Sequence, residues 1–404
     1  MLSYIDPGTG SMLFSVLIGI IGALLYSIRK MVIWIQFILS GGREAKMNKN
    51  KLPYVIYSDS KRYWNTFEPI CNEFEKREIP LTYMTSSSDD DALKKNYKYI
   101  KCEYIGEGNK AFAKLNLLNA TILLSTTPGL DVYQWKRSKN VDWYIHIPHA
   151  PSDLTLYRMF GIDYYDAILT SGQYQIDQIR NLEEKRGLPE KEMKIVGIPY
   201  LDSMKNRLNT IDEVINKETT VLLAPSWGPS GILSKYGERF IDALIDTGYH
   251  IIVRPHPQSF TSEKKLINKL MDKYTKIEWN RDNDNFEVLR KSDILISDFS
   301  GIIFDYVLVF DKPVIYADTN FDDSIYDSCW LDDKPWTFKT LPRIGQMLKE
   351  EDIYNIKSII DECIDSKKYQ MARNQAREEA WQYQQDGAVN IVDYIVDIKG
   401  KMDK

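Results

Sequence analysis

From Lys51 onward the chain alternates short apolar runs with longer stretches in which apolar residues recur every three or four positions. The short runs predict strands buried on both faces, and the longer stretches predict the helices that cover them. In the first half the strand candidates are residues 54–57, 81–84, 121–124, 143–147, 167–169 and 194–196. Residues 203–219 are polar with a helical pattern and read as a connection. A second set of strands follows at 221–224, 250–253, 276–279, 294–297 and 314–316. Helices are predicted at 235–247, stopped by Gly248, at 353–364, and over 369–398 with an interruption near Gly387. Two successive βαβ series predict an α/β protein with two doubly wound, Rossmann-like domains. Their expected bounds are 52–204 and 219–366, with a linker at 205–218 and C-terminal helices over 367–404.

Residues 1–51 break this rhythm. Residues 12–28 form an uncharged, largely apolar run, at the lower limit of the roughly 20 residues that cross a bilayer. Arg29 and Lys30 follow, then a second apolar run at 31–39, then Arg43, Lys46, Lys49 and Lys51. The basic residues lie on the C-terminal side, which predicts a single N-terminal transmembrane helix, a cell-membrane location and a cytoplasmic body. A secretory signal peptide would carry its basic residues ahead of the apolar run. A buried core helix is the third reading.

Composition narrows the class further. The 404 residues are 27% charged and carry a net charge of −5, so no global basic excess points to nucleic acid. The four cysteines, Cys71, Cys102, Cys329 and Cys363, form no CxxC pair and support neither a zinc site nor a disulfide framework. The run Asp89–Asp90–Asp91 reads as a solvated loop. No carboxylate cluster demands a metal, which leaves a loosely held Mg²⁺ on a substrate phosphate as the only metal expected.

Candidate chemistry concentrates in residues 294–316, ILISDFSGIIFDYVLVFDKPVIY. A buried strand enters a polar turn, Ser297 to Gly301, and leaves as a helix apolar on nearly every side until Lys312-Pro313 stops it. Unpaired N–H groups at such a helix start suit a phosphate, and Gly301 permits close approach; a plain N-cap at Asp298 or Ser300 is the alternative. A second strand ends in Val253-Arg254-Pro255-His256-Pro257. Its prolines fix a loop that holds a guanidinium fork and a titratable imidazole. Pro148-His149-Ala150-Pro151 is a third proline-stiffened loop at a strand end. Ser226 and Trp227 also follow a strand, where Trp227 either stacks on a ligand ring or belongs to the core. His146 and His250 lie in strand-like runs and read as structural.

RPHP and SDFSGIIFDYVLVFDKPVIY together resemble the CDP-glycerol glycerophosphotransferase family, the primases and polymerases of teichoic-acid-type polymers. Ala224-Pro225-Ser226-Trp227, Pro148-His149-Ala150-Pro151 and Asp386-Gly387-Ala388 also match, in family order, from about residue 52 to 397. The resemblance implies a GT-B-like domain pair with a C-terminal helix crossing back to the first domain. It implies a phosphotransferase that moves glycerol phosphate from CDP-glycerol to a lipid-linked saccharide or polymer and releases CMP, with CDP-ribitol or a related CDP-alcohol as the alternative donor. His149 would then be the acceptor-side base. A protonated His256 would help Arg254 neutralise the donor pyrophosphate, held by Ser300 and Gly301 on a turn shaped by Ser297 and Asp298. Asp386 and Gly387 either reach the donor or only kink the terminal helix. The chain departs from the family pattern at Gly228-Pro229, at Ala150 to Asp153 and at Asn390. Two other classes compete: a nucleotide-sugar glycosyltransferase on the same fold, and a non-catalytic anchored protein that binds polymer or lipid head groups.

Overall fold

A computed structural model of the chain describes residues 51–212 and 218–404, together with positions 24, 27, 28, 31 and 35. Two sheets organise it. The first has strand order β3-β2-β1-β4-β5-β6-β7, with β1 Leu52–Ser58, β2 Leu81–Thr85, β3 Ile100–Tyr104, β4 Asn119–Ser125, β5 Asn140–His146, β6 Ala167–Thr170 and β7 Glu192–Ile195. The second runs β10-β9-β8-β11-β12-β13, with β8 Thr220–Leu223, β9 His250–Val253, β10 Glu278–Trp279, β11 Ile294–Ser297, β12 Val314–Ala317 and β13 Gln346–Leu348. Every strand pairing is parallel. In each sheet the order reverses beside the first strand, so a crevice opens at the carboxyl ends of β1 and β4, and again at those of β8 and β11.

Side chains of each strand alternate between two apolar layers. Tyr54 and Ile56 of β1 join one core, and Val55 and Tyr57 join the other. In β11, Leu295 faces one layer while Ile294 and Ile296 face the opposite one. The sequence pattern missed β3 and β13. β3 is an edge strand of mixed polarity, and β13 is three residues long at the other edge, so neither shows the continuous apolar run of a central strand.

The helices that matter for the site are α1 Trp64–Lys76, α2 Gln173–Arg186, α3 Pro199–Asn209, α4 Ile302–Asp305, α5 Trp336–Ile344, α6 Gln370–Ala380 and α7 Gly387–Met402. The helix expected over 203–219 starts earlier and ends at Asn209, because Pro199 opens it and Leu201 and Met204 are buried. α4 widens into a π-helix, Tyr306–Phe310, buried except at its last residue. Its late carbonyls are met by α6: Arg377 Nε donates to Leu308 O at 2.6 Å. Asp311, in the left-handed conformation, ends the run just before Lys312-Pro313.

The C-terminal helices pack against both halves. Ala376 and Ala380 of α6 pack with Leu222 and Ile303 of the second half. Ile391, Val392 and Ile395 of α7 pack with Ile56, Phe67 and Leu124 of the first. Three buried carboxylates tie the halves together. Asp153 accepts from the Trp336 and Thr337 N–H groups at the start of α5, at 2.7 and 2.8 Å. Asp327 accepts from the Phe160 and Gly161 N–H groups at 2.8 and 3.2 Å and pairs with Arg186. Asp202 on α3 accepts from Trp381 Nε1 and the Gln385 and Gly387 N–H groups at 2.8, 2.8 and 3.0 Å.

The membrane span expected at 12–28 and the apolar run at 31–39 lie outside the described residues, apart from isolated positions. Of those, Leu24, Ile28, Met31 and Ile35 are helical and exposed. Among the described residues no helix is long and apolar enough to cross a membrane.

Candidate active site

The carboxyl ends of the two sheets face each other across a cavity of about 290 Å³. The loop after β5 brings His149 to it, and the loop after β9 brings Arg254 and His256. The turn after β11 contributes Ser300 and Gly301. These five, singled out in the sequence from three separate segments, share one cleft.

His149 is partly buried. Its ring lies 4.9 Å from that of Tyr63 and 6.3 Å from that of Tyr157, and Nδ1 is 3.1 Å from Thr126 Oγ1. Burial, with the Arg62 charge beside it, pulls its pKa down to about 4. His256 is held the same way: burial first, then Arg62, His149 and Arg254, bring it to about 4. The Gln258 N–H donates to His256 Nδ1 at 3.1 Å, so the lone pair there is taken. That lowering opposes the protonated His256 expected from the family resemblance. A neutral ring held in this way offers Nε2–H as its donor. Arg254 is buried, its Nη1 donating to Asn280 Oδ1. Burial lowers its pKa, while Tyr200, Asp282, Asp284 and Asp305 act against that shift.

The turn after β11 is shaped by Ser297 and Asp298, neither of which lines the cavity. Asp298 does not face the cavity. Its carboxylate accepts from the N–H groups of Ser226 (2.8 Å), Ile232 (3.1 Å), Phe299 (2.8 Å) and Ser300 (3.2 Å). Burial still pushes its pKa up to about 6. Asp298 thus ties the loop after β8 to the phosphate turn. The Ser300 N–H is consumed by that bond, and the N–H groups of Gly301 and Ile302 are the ones left without an acceptor among the described residues. Ser297 is fully buried and spends its hydroxyl on Ala224 O at 2.7 Å.

Ser226 and Trp227 flank the cleft without lining it; the Trp227 ring is 6.3 Å from that of His256. Gly228 follows with φ +88°, a conformation that charged residues rarely adopt. Asp386 and Gly387 lie away from the cavity. They open α7, where an added Cβ on Gly387 would come within 2.8 Å of Asp202 Oδ2. The Gly387 N–H donates to Asp202 Oδ2 at 3.0 Å, which places these two positions where the chain crosses between the halves.

Asp305 and Arg62 line the cleft and were not singled out in the sequence. Asp305 Oδ2 accepts from Asn285 Nδ2 at 2.9 Å, and Asn285 Oδ1 accepts from Tyr200 OH at 2.6 Å. Burial lifts the Asp305 pKa to about 7, and its Oδ1 has no hydrogen-bond partner among the described residues. A lone carboxylate in an otherwise apolar helix was the signal available for it. For Arg62 only its place after β1 would have served. His146 is buried against Tyr157 and Tyr165, at 5.5 and 5.0 Å, and His250 lies 3.5 Å from Glu278 at the amino end of β9. Among the described residues no group of three His, Cys, Asp or Glu side chains is placed to hold a metal ion.

Comparison with solved structures returns the same architecture. The wall teichoic acid polymerase TagF superposes with a TM-score of 0.58 at 16% identity, over 94% of this chain and 97% of that one. A TagF variant soaked with CDPG gives 0.56 at 15% identity, over 94% and 98%. A putative UDP-N-acetylglucosamine 2-epimerase from Listeria monocytogenes gives 0.53 at 12%, over 86% and 96%. Likeness at such identities establishes a GT-B-like fold and no more. No curated protein matches the chain. The profile described as CDP-Glycerol:Poly(glycerophosphate) glycerophosphotransferase matches residues 127–397. That match takes in β5 to β7 of the first sheet, the whole of the second, and every strand-end loop that reaches the cleft except the one after β1, and on it the chain belongs to the CDP-glycerol:poly(glycerophosphate) glycerophosphotransferase family of enzymes.

Proposed function

We propose that this chain transfers glycerol phosphate from CDP-glycerol to the hydroxyl of a lipid-linked saccharide or growing polymer, releasing CMP, in teichoic-acid-type polymer synthesis. The observation that carries this reading is the convergence of a neutral histidine from one half with a cationic, N–H-lined anion site from the other. With Nδ1–H donated to Thr126 Oγ1, His149 presents Nε2 as a base. The acceptor oxygen attacks the phosphorus that bears glycerol and loses its proton to Nε2. A new P–O bond forms, and the bond to the bridging oxygen breaks. The electron pair leaves with CMP. Arg254, His256 Nε2–H and the Gly301 and Ile302 N–H groups stabilise the charge on the pyrophosphate as it departs.

An N-terminal membrane anchor with the catalytic body on the cytoplasmic side completes the reading. Its support is the one-sided run of basic residues after 12–28 and the apolar, exposed helical positions Leu24, Ile28, Met31 and Ile35. Such an anchor would keep the cleft near a lipid-linked acceptor.

The test is CMP release by the full chain from CDP-glycerol, with and without membrane lipid extract, beside His256→Ala. Acceptor-dependent CMP lost in the variant is the expected result. Turnover of a nucleotide sugar in its place would move the chain to the glycosyltransferases, and silence with every donor would favour a binding protein. The pH dependence is a second check. The base must be unprotonated, and its pKa in the free protein is about 4. The value of kcat/KM should therefore stay level from neutral pH down to about pH 5 and fall as pH drops through about 4. An acid limb near pH 6.5, the ordinary imidazole range, would contradict this assignment of the base.

A further inference from the structure

Arg62 lies in the single 3-10 turn Lys61–Tyr63 that follows β1, and its side chain walls the cleft from the side of the first sheet. Ser60 seats it: Arg62 Nε donates to Ser60 Oγ at 3.1 Å. That bond leaves Nη1 and Nη2 without an acceptor among the described residues. They form the planar fork that matches two phosphate oxygens. Arg62 also has no ion-pair partner among the described residues, whereas Arg137, Arg186, Arg343 and Arg373 are all matched with carboxylates. Asp59, on the same loop, feels the Arg62 charge without forming an ion pair with it.

Position adds to this. The Arg62 charge acts on His149 from the first half and on His256 from the second, so the guanidinium is within reach of both half-sites. Arg254 enters the same cavity from the opposite sheet. An anion lying between the two guanidiniums would be attracted by both.

We propose that Arg62 is a catalytic residue, whose two free Nη donors clamp the phosphoryl group as it passes from the nucleotide to the acceptor oxygen. This rests on the reading of CDP-glycerol as donor. Arg62 forms no covalent bond and moves no proton. The proton goes to His149, the P–O bond to the acceptor forms as that to CMP breaks, and Arg62 offsets charge on the oxygens of the phosphoryl group in flight.

The experiment compares the wild-type full chain with R62A and R62K in steady-state CMP release across pH 3.5–8, and in calorimetric binding of inorganic pyrophosphate. R62A should lose about 10²-fold in kcat, with a small change in KM for CDP-glycerol, and R62K should recover part of it. In R62A the acid limb should also move to higher pH, because a cation that disfavours the protonated histidines is gone. Pyrophosphate affinity should fall about tenfold in R62A. Unchanged kcat with a raised acceptor KM would overturn the clamp and assign Arg62 to an acceptor phosphate. Equal losses in R62A and R62K with a fixed acid limb would mark a structural role and overturn it too. A wild-type chain that ignores CDP-glycerol, yet binds pyrophosphate in an Arg62-dependent way, would sink the donor assignment and leave the phosphate clamp standing. Arg62-independent pyrophosphate binding would sink the clamp.

Discussion

Replacing His149 with glutamine should cut acceptor-dependent CMP release by roughly 10²–10⁴-fold, the usual contribution of a general base, while donor binding changes little. The ring is positioned by Tyr63, Tyr157 and Thr126, none of which belongs to the anion site. Glutamine keeps a polar group of similar reach but cannot accept the proton. The pairing of burial with the Arg62 charge that makes the histidine a weak base in the free protein also favours its unprotonated form at neutral pH. Donor charge arriving next to it raises its pKa, so its basicity is strongest once the cleft is filled. The decisive comparison is CMP release against calorimetric binding of CDP-glycerol in the same variant. Loss of both together would mean that His149 holds the donor.

Asp202→Ala should destabilise the fold by about 4 kcal/mol, since it strands three donors and each buried donor left unpaired costs about 1–3 kcal/mol. Trp381, whose indole N–H it accepts, is 1% exposed. The other two donors are backbone N–H groups in the connection between α6 and α7. Asp202→Asn, which keeps one accepting oxygen, should cost about half as much. Against a typical total of 5–15 kcal/mol the alanine change is large. Chemical denaturation monitored by tryptophan fluorescence measures it; a shift worth less than about 1 kcal/mol would mean that water replaces the carboxylate. The chain crossing, rather than either sheet, is then the sensitive point of the molecule.

Eleven strands and the two-sheet plan were legible because central parallel strands are buried on both faces and show as apolar runs. β3 and β13 were hidden because edge strands need no such run. The cleft was legible where proline and glycine mark special backbone, at His149, His256 and Gly301. It was hidden where function depends on a partner distant in sequence. Asp298 reads as a turn former, yet it serves as the acceptor for a loop some seventy residues earlier. The departures from the family pattern also found structural reasons. Asp153 caps a helix of the other half, and Asn390 Nδ2 donates to Val196 O at 3.2 Å where α7 meets the first sheet.

The return of α7 to the first sheet has a consequence for how the protein is made. Phe67, Ile56 and Leu124 are covered by Ile391, Val392 and Ile395, which leave the ribosome roughly 200 residues after β7. At about 5–20 residues per second that interval is roughly 10–40 s. For that time the first half exists as a nascent sheet with one apolar flank bare, and that flank is covered only once α7 has been made. Chains stalled at residue 386 should therefore bind a hydrophobic dye and be cleaved readily in their first half, whereas released full-length chains should resist both.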